Sequence, residues 1–283
     1  MAAVMLITRI WQLSTAIDYD TGFFMEESGF LAQLLYVLLV IQLVAVIVLI
    51  IFDSKRNNIA ITGNAQSLTP NQVLVLGFAL LAGAICCFLQ LTFDFTKIDL
   101  TFIGNVLVFL TYLVAAFLLL SRKKVREATG FVIIALPVSY TLKAGALFMS
   151  DTVIVRVSEE LLPLLTYIAA VMFYLCLGRY LSGSEAPHSR HKLIFFTSAA
   201  FVLSTVSVAV KYPMYLIGNP EAVAQMKAPA ISELGVWAVS LTVLIVLFQK
   251  NKDGVGFGTS EEVNEPAAEP EKEDGAEPVG EEQ

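Results

Sequence analysis

The sequence predicts an all-α, polytopic membrane protein in which seven transmembrane helices form one bundle. Of its 283 residues, 57% are hydrophobic and 15% are charged, and the mean hydropathy is +0.73. Soluble domains contain about 45–50% apolar and about 25% charged residues. This composition excludes an ordinary soluble domain, a disordered chain and a nucleic-acid-binding protein, and it makes the lipid bilayer the predicted surroundings.

Seven apolar runs in the sequence are long enough to cross about 30 Å of hydrocarbon. They lie near 30–52, 72–93, 101–120, 130–149, 161–181, 193–212 and 230–249. Backbone polar groups in lipid must bond within their own segment, and the runs lack the alternating pattern of barrel strands, so each is predicted to be a helix. Thr69, Pro70 and Gln72 have the pattern of a capped helix start and predict where the second transmembrane helix begins.

The chain divides into a segment of residues 1–29, a membrane domain of residues 30–252 and a tail of residues 253–283. In the first segment, Thr8, Gln12 and Thr15 form a polar stripe, which predicts an amphipathic helix lying in the outer membrane interface. The tail is rich in Gly, Pro, Ala and Glu and is predicted to be disordered, because it cannot bury enough apolar surface. It is either an acidic docking segment for a basic cytoplasmic protein or a solvated spacer.

The distribution of charge predicts the orientation of the bundle. The connections on one side of the membrane carry eleven Lys and Arg residues, and those on the other side carry five. Basic residues are retained in the cytoplasm, so the N-terminus is predicted outside and the C-terminus inside, in the plasma membrane of a prokaryotic cell. The outer segments then have a net charge of −6, the inner loops +8 and the tail −10. A negative outer surface attracts cations at long range, which is one interpretation of this charge. The other is that acidic residues are simply tolerated on the outer side.

Lys143 lies within the fourth apolar run, where a lysine costs about 2.5–3.5 kcal/mol on insertion scales and is expected to face a cavity, the bundle interior or a partner. We predict an outward-facing pocket at this lysine that binds a small polar or zwitterionic molecule. Its candidate ligand-binding residues are Lys143, Tyr140, Tyr167, Lys211, Asn105 and Thr166. Two alternatives leave no pocket: Lys143 reaches the outer headgroups, or it forms an ion pair with Glu159 or Glu160.

Two prolines mark interruptions in the predicted helices. Pro137 is predicted to kink the fourth helix, because proline frees the carbonyl one turn before it. Pro213 is predicted to end the sixth helix at the outer interface, next to Lys211. Interrupted helices of this kind are typical of the midplane site of a transporter. A short internal echo, Leu-Thr-Tyr at 110–112 and again at 165–167, indicates repeated hairpins or a chance match.

Catalytic, metal and cofactor chemistry find little support in the sequence. Ser139 precedes Lys143 by four residues, a spacing that would suit a serine–lysine hydrolase, although a membrane serine that bonds its own backbone is commoner. The spans lack His and paired carboxylates, and nucleotide-binding motifs are absent, so neither a metal nor a cofactor is predicted. The sequence therefore favours a non-enzymatic binding or transport protein, and a membrane scaffold or sensor that recruits cytoplasmic proteins is the alternative.

Overall fold

The computed structural model describes residues 2–15, 29–57, 68, 70–94, 99–121, 126–150, 157–182, 189–217 and 230–248. The helices are α1 (Ala2–Thr15), α2 (Gly29–Asn57), α3 (Pro70–Asp94), α4 (Leu100–Leu120), α5 (Arg126–Ile133), α6 (Ala135–Ser150), α7 (Val157–Leu181), α8 (Ser189–Ser204), α9 (Lys211–Ile217) and α10 (Leu234–Phe248). A π-helical segment, Thr205–Ala209, joins α8 to α9, and a 3-10 turn, Ile231–Glu233, leads into α10. The predicted tail lies outside the described residues.

Seven helical stretches are long and apolar enough to cross a membrane. They are Gln33–Phe52, Pro70–Phe93, Leu100–Leu120, Ala128–Met149, Leu161–Leu181, Arg190–Met214 and Ile231–Phe248. Each overlaps one of the runs predicted from the sequence, and the described part of the chain contains no strand. The all-helical fold is therefore confirmed for the described residues, and the seven long apolar helices found among them are compatible with a multi-pass membrane protein.

Spans two to seven pack in a closed ring. Going round this ring, α3 contacts α4, α4 contacts α6, α6 contacts α7, α7 contacts α8, α8 contacts α10, and α10 contacts α3 again. The first span, α2, lies outside the ring against α8 and α1. Its most apolar window is 12% buried, compared with 67% for the sixth span. Polar side chains from different spans can therefore contact each other inside the ring.

The fourth and sixth spans are both interrupted four residues before a proline. α5 ends at Ile133, four residues before Pro137, and the π segment ends at Ala209, four residues before Pro213. Proline has no N–H for the carbonyl four residues earlier, and its ring clashes with that carbonyl. The predicted kink at Pro137 is thus present as a break. The prediction that Pro213 ends its helix is wrong, because Pro213 lies in the first turn of α9, where proline is tolerated.

The N-terminal segment forms the predicted helix, but Thr8 and Gln12 of its predicted polar stripe face the protein, whereas Thr15 is exposed. The buried face of α1 consists of Met5, Thr8, Arg9, Gln12 and Leu13, and its exposed face includes Val4, Ile7 and Trp11. Arg9 donates a hydrogen bond to Gln12 Oε1 at 3.1 Å. α1 packs against α2 and the π segment, so its buried face combines enclosed polar groups with the apolar side chains of Met5 and Leu13.

The first turns of α3 and α8 are hydrogen-bonded to the last helix. α3 begins at Pro70 as predicted, and Gln72 donates from Nε2 to the carbonyl of Val246 at 3.3 Å. Arg190, near the start of α8, donates to the carbonyl of Leu247 at 3.4 Å. Both bonds supply donors to carbonyls in the last turn of α10, which have no partner within a helix. Gln72 therefore joins two helices rather than serving only its own first turn.

Candidate functional site

Lys143 is buried inside the ring, with 2% of its surface exposed. Its Nζ donates a hydrogen bond to Ser232 Oγ at 3.3 Å. The same atom lies 5.5 Å from the ring centroid of Tyr140 and 5.1 Å from that of Tyr167, within the roughly 6 Å range of cation–π attraction. The lysine therefore points into the protein and does not reach the headgroups, which removes the first of the two alternatives to a pocket.

A glycine on α4 makes room for the lysine. A Cβ added to Gly104 would lie 2.7 Å from Lys143 Cγ, so the lysine stem passes directly over the Gly104 backbone. Small residues at helix contacts in membranes allow this kind of close approach. Gly104 and the buried stem together fix where the ammonium group lies.

Glu233 brings a negative charge to the same place. It is the last residue of the 3-10 turn before α10 and is 6% exposed. Its Oε1 accepts a short hydrogen bond from the Tyr167 hydroxyl. Tyr167 thus has the Lys143 ammonium near its ring and the Glu233 carboxylate at its hydroxyl. We call Lys143, Glu233, Tyr167, Tyr140 and Ser232 the Lys143–Glu233 centre.

Three further contacts between tyrosines extend this centre towards the middle of the bundle. The Tyr112 hydroxyl is hydrogen-bonded to those of Tyr140, at 3.2 Å, and Tyr174, at a shorter distance. The rings of Tyr140 and Tyr174 stack with centroids 5.5 Å apart. Tyr112, Tyr140 and Tyr174, the tyrosine triad, come from α4, α6 and α7 and are fully buried. The triad links three spans through groups that have found partners, as buried polar groups require.

Helix geometry explains why these side chains converge. Tyr140 and Lys143 are three residues apart on α6, and Tyr167 and Tyr174 are seven residues apart on α7. Both spacings place the members of a pair on one face of their helix. Because α6 and α7 are neighbours in the ring, those two faces can meet. The 3-10 turn adds the Ser232 hydroxyl and the Glu233 carboxylate from the last span.

The other predicted site residues have different surroundings. Asn105 is 2% exposed, and its Oδ1 has no hydrogen-bond partner in the described part of the chain. Thr166 donates to Leu162 O at 2.8 Å and is hydrogen-bonded to Ser207 Oγ, also at 2.8 Å, so it faces the sixth span. Lys211 is the first residue of α9 and is not among the contacts of Lys143 described above. Of the predicted pocket residues, the described contacts thus join Lys143 to Tyr140 and Tyr167.

The structure places an acidic residue other than the predicted ones near Lys143, because Glu233 bonds the hydroxyl of Tyr167. The side chains of Glu159 and Glu160 lie outside the described residues, so the predicted ion pair with them stays a prediction. Glu233 contributes to the net charge of −6 predicted for the outer segments, but neither it nor Ser232, Tyr112 or Tyr174 was predicted to be a site residue. One signal was available for Tyr112, because the echo between 110–112 and 165–167 matches it with Tyr167.

Ser139 makes the backbone contact that is common for membrane serines. Its Oγ donates to the carbonyl of Ala135 at 3.1 Å, while Lys143 bonds Ser232. The two residues of the suggested serine–lysine pair thus have separate partners. Among the residues that the structure describes, no group of three or more His, Cys, Asp or Glu side chains is placed to hold a metal ion.

The π segment of the sixth span is hydrogen-bonded to two neighbouring helices. Ser207 bonds Thr166 on α7, and Thr205 Oγ1 accepts a hydrogen bond from Trp237 Nε1 on α10 at 3.0 Å. π-helical turns are rare and frequently occur at functional sites. The α7 contact is next in sequence to Tyr167, and the α10 contact is four residues after Glu233. The interruption of the sixth span is therefore beside the Lys143–Glu233 centre.

A groove of about 140 Å³ lies elsewhere, between α2 and α8. Its lining is mostly apolar and includes Gln42 and Ser198. The Gln42 Oε1 atom is buried without a hydrogen-bond partner among the described residues. This groove is separate from the Lys143–Glu233 centre, whose residues do not line it.

Comparisons of the chain with protein-family models, with curated proteins and with solved structures find no match.

Proposed function

We propose that the protein binds a small zwitterionic molecule inside its membrane bundle and carries it across the bilayer. The observation that carries this proposal is the burial of two opposite charges around Tyr167, with Lys143 over its ring and Glu233 at its hydroxyl. Ionisable residues within membrane spans are costly and mark substrate and ion pathways. A zwitterion offers a carboxylate for the lysine and an ammonium group for the glutamate.

The surroundings of the centre support transport rather than binding alone. The fourth span is broken at Ile134, and the sixth contains the π segment next to the centre. Substrate sites of secondary transporters commonly lie beside discontinuous helices, which allow one part of the bundle to move against another. Asn105 Oδ1 adds a buried acceptor without a partner among the described residues, and a polar ligand would offset the cost of leaving it unsatisfied.

Thermal stability of the purified protein with a panel of amino acids and betaines tests the proposal. We expect at least one zwitterion to raise the Tm of the wild type, because a ligand that binds only the folded state stabilises it. Lys143→Ala is expected to abolish this rise. Tyr167→Phe, which removes the hydroxyl that bonds Glu233, is expected to weaken binding about 10- to 100-fold.

The matched control is Tyr36→Phe, because Tyr36 is exposed on the peripheral span α2. Its zwitterion response should equal that of the wild type. If Lys143→Ala and Tyr167→Phe both keep the wild-type response, the Lys143–Glu233 centre is not the binding site.

A second candidate function is that of a scaffold or sensor subunit that recruits cytoplasmic proteins. The close packing of Lys143 against Gly104, Tyr140 and Tyr167 favours this function. A charge cluster whose members all have partners can have a purely structural role, which is to hold the spans in register. Deletion of residues 253–283 is then expected to remove proteins that co-purify with the full chain. Quantitative mass spectrometry of the two preparations checks this, and an unchanged set of proteins counts against recruitment by the tail.

We propose further that the bundle lies in the plasma membrane with its N-terminus outside, as the distribution of Lys and Arg predicts. Cysteines introduced at Ser28 and Ser184 fall in connections predicted to be outside and inside, respectively. A membrane-impermeant maleimide is expected to label Ser28→Cys in intact cells and Ser184→Cys only after permeabilisation. The wild-type chain, with Cys86, Cys87 and Cys176, gives the background, and the reverse labelling would invert the proposed orientation.

A further inference from the structure

We infer that the Lys143 ammonium occupies the position where the ammonium group of the ligand binds, and that lysine and ligand exchange places there. This inference rests on the proposed function and specifies its ligand. The ammonium site consists of Tyr140, Tyr167, Ser232 and Glu233. Lys143 fills it as a cation tethered to the protein.

The chemistry of this site is that of a receptor for organic ammonium ions. Lys143 Nζ lies 5.5 and 5.1 Å from two tyrosine ring centroids and bonds one hydroxyl oxygen, Ser232 Oγ, at 3.3 Å. The carboxylate of Glu233 is one tyrosine away. Aromatic faces with a nearby negative charge bind ammonium and quaternary ammonium ligands. None of these contacts depends on the cation being attached to α6.

The lysine has a flexible tether, and the helix that its stem contacts carries a buried acceptor. Its stem has four rotatable carbons and lies over the Gly104 backbone. Asn105, the next residue of α4, holds the buried Oδ1 atom that lacks a partner among the described residues. A displaced ammonium group thus has an acceptor on the helix that its stem already contacts.

The count of buried charges decides which ligands fit. In the structure the centre holds one cation and one carboxylate, Lys143 and Glu233. A ligand with only an ammonium group would add a cation that has no counter-charge, and a ligand with only a carboxylate would add an unmatched anion; both are costly in low dielectric. A zwitterion adds one of each. Its ammonium group replaces that of Lys143 between the two tyrosine rings, and the released lysine pairs with its carboxylate.

Chemical rescue of Lys143→Ala tests the exchange. The probe is n-butylammonium, which has the four carbons and the ammonium group of a whole lysine side chain and so exceeds the part removed in Lys143→Ala by one methylene group. We expect it to raise the Tm of Lys143→Ala by roughly 3–5 °C for each tenfold increase in concentration above its Kd. The wild type should not respond, because Lys143 fills the site. 1-Butanol and butyrate, which have similar size without the positive charge, should have little effect.

Three further variants sharpen the test. Lys143→Ala combined with Glu233→Gln lacks the carboxylate of the site and should lose the rescue, whereas Lys192→Ala, an exposed lysine of α8, should never show one. Gly104→Ala places a methyl group 2.7 Å from the position of Lys143 Cγ. It should push the lysine stem aside and make the otherwise intact chain respond to n-butylammonium, which provides a readout if Lys143→Ala folds poorly.

The outcomes separate this inference from the proposed function. Equal stabilisation of Lys143→Ala by 1-butanol would mean that the probe only fills a cavity, and no response in either Lys143→Ala or Gly104→Ala would overturn the ammonium site. If the wild type binds zwitterions and the rescue is absent, ligand binding stands and the exchange is wrong. Rescue by n-butylammonium without any zwitterion response of the wild type would support the ammonium site and contradict the proposed function.

Discussion

Replacing Gly130 by alanine is expected to lower the free energy of unfolding by about 2–3 kcal/mol, the upper part of the range for overpacked sites. A Cβ at this position would lie 2.6 Å from both Gly178 O and Ser182 N. These are backbone atoms on α7 and just after it, so no side-chain rotation can relieve the contact. The two helices would have to move apart where α5 and α7 cross.

Gly145→Ala is the matched control, because it makes the same substitution in the same span. A Cβ at Gly145 would meet no atom within 4 Å, and alanine is favoured over glycine in a helix interior by about 1 kcal/mol. This variant should therefore equal or exceed the wild type in stability. Unfolding of both variants in the same detergent by heat or denaturant gives the comparison. Equal stability of the two variants would show that the α5–α7 contact is looser than the structure indicates.

The number of spans and the position of the first helix break were predictable because both depend on local sequence. An apolar run of about 20 residues crosses the bilayer wherever it packs, and Pro137 removes a hydrogen bond within its own helix. Pro213 shows the limit of that argument. A proline near the end of an apolar run is compatible with the end of one helix or with the first turn of the next helix. In this chain the π segment before Pro213 separates the two helices, so Pro213 belongs to the next one.

The partner of Lys143 was not predictable, because it depends on which spans become neighbours. Glu159, Glu160 and Glu233 all precede apolar runs on the same predicted side, and sequence spacing does not distinguish them. The pairing with the Glu233 region joins residues about 90 positions apart, through Ser232. It requires the ring in which α10 returns to α3. Tyr112 and Tyr174 were missed for the same reason, since a tyrosine in a span is ordinary until the helices that surround it are known.

The inward polar face of α1 shows why amphipathic patterns leave orientation open. A stripe of polar residues predicts that one face differs from the other, but not that water covers the polar face. In the structure Thr8, Arg9 and Gln12 are buried, and Ile7 and Trp11 are exposed. Next to a bundle with polar groups in its own interior, the helix can satisfy its polar side chains against protein, while Met5 and Leu13 pack on the same buried face.

Neutralising one member of the Lys143–Glu233 centre is expected to cost more than neutralising both. Lys143→Met and Glu233→Gln should each lower the free energy of unfolding by about 3–5 kcal/mol, because each leaves the remaining buried charge uncompensated. The double variant should lose much less than the sum of the two, since replacing a whole buried pair with neutral groups is often tolerated. A double-mutant cycle measured by unfolding gives the coupling, and strictly additive losses would mean that the two charges do not stabilise each other.

Tyr167→Phe tests the hydrogen bond between Tyr167 and Glu233. With the Tyr167 hydroxyl removed, the Glu233 carboxylate loses a hydrogen bond worth about 1.5–3 kcal/mol. If the contact acts through the charge of Glu233, this additional loss of stability should disappear in the Glu233→Gln background.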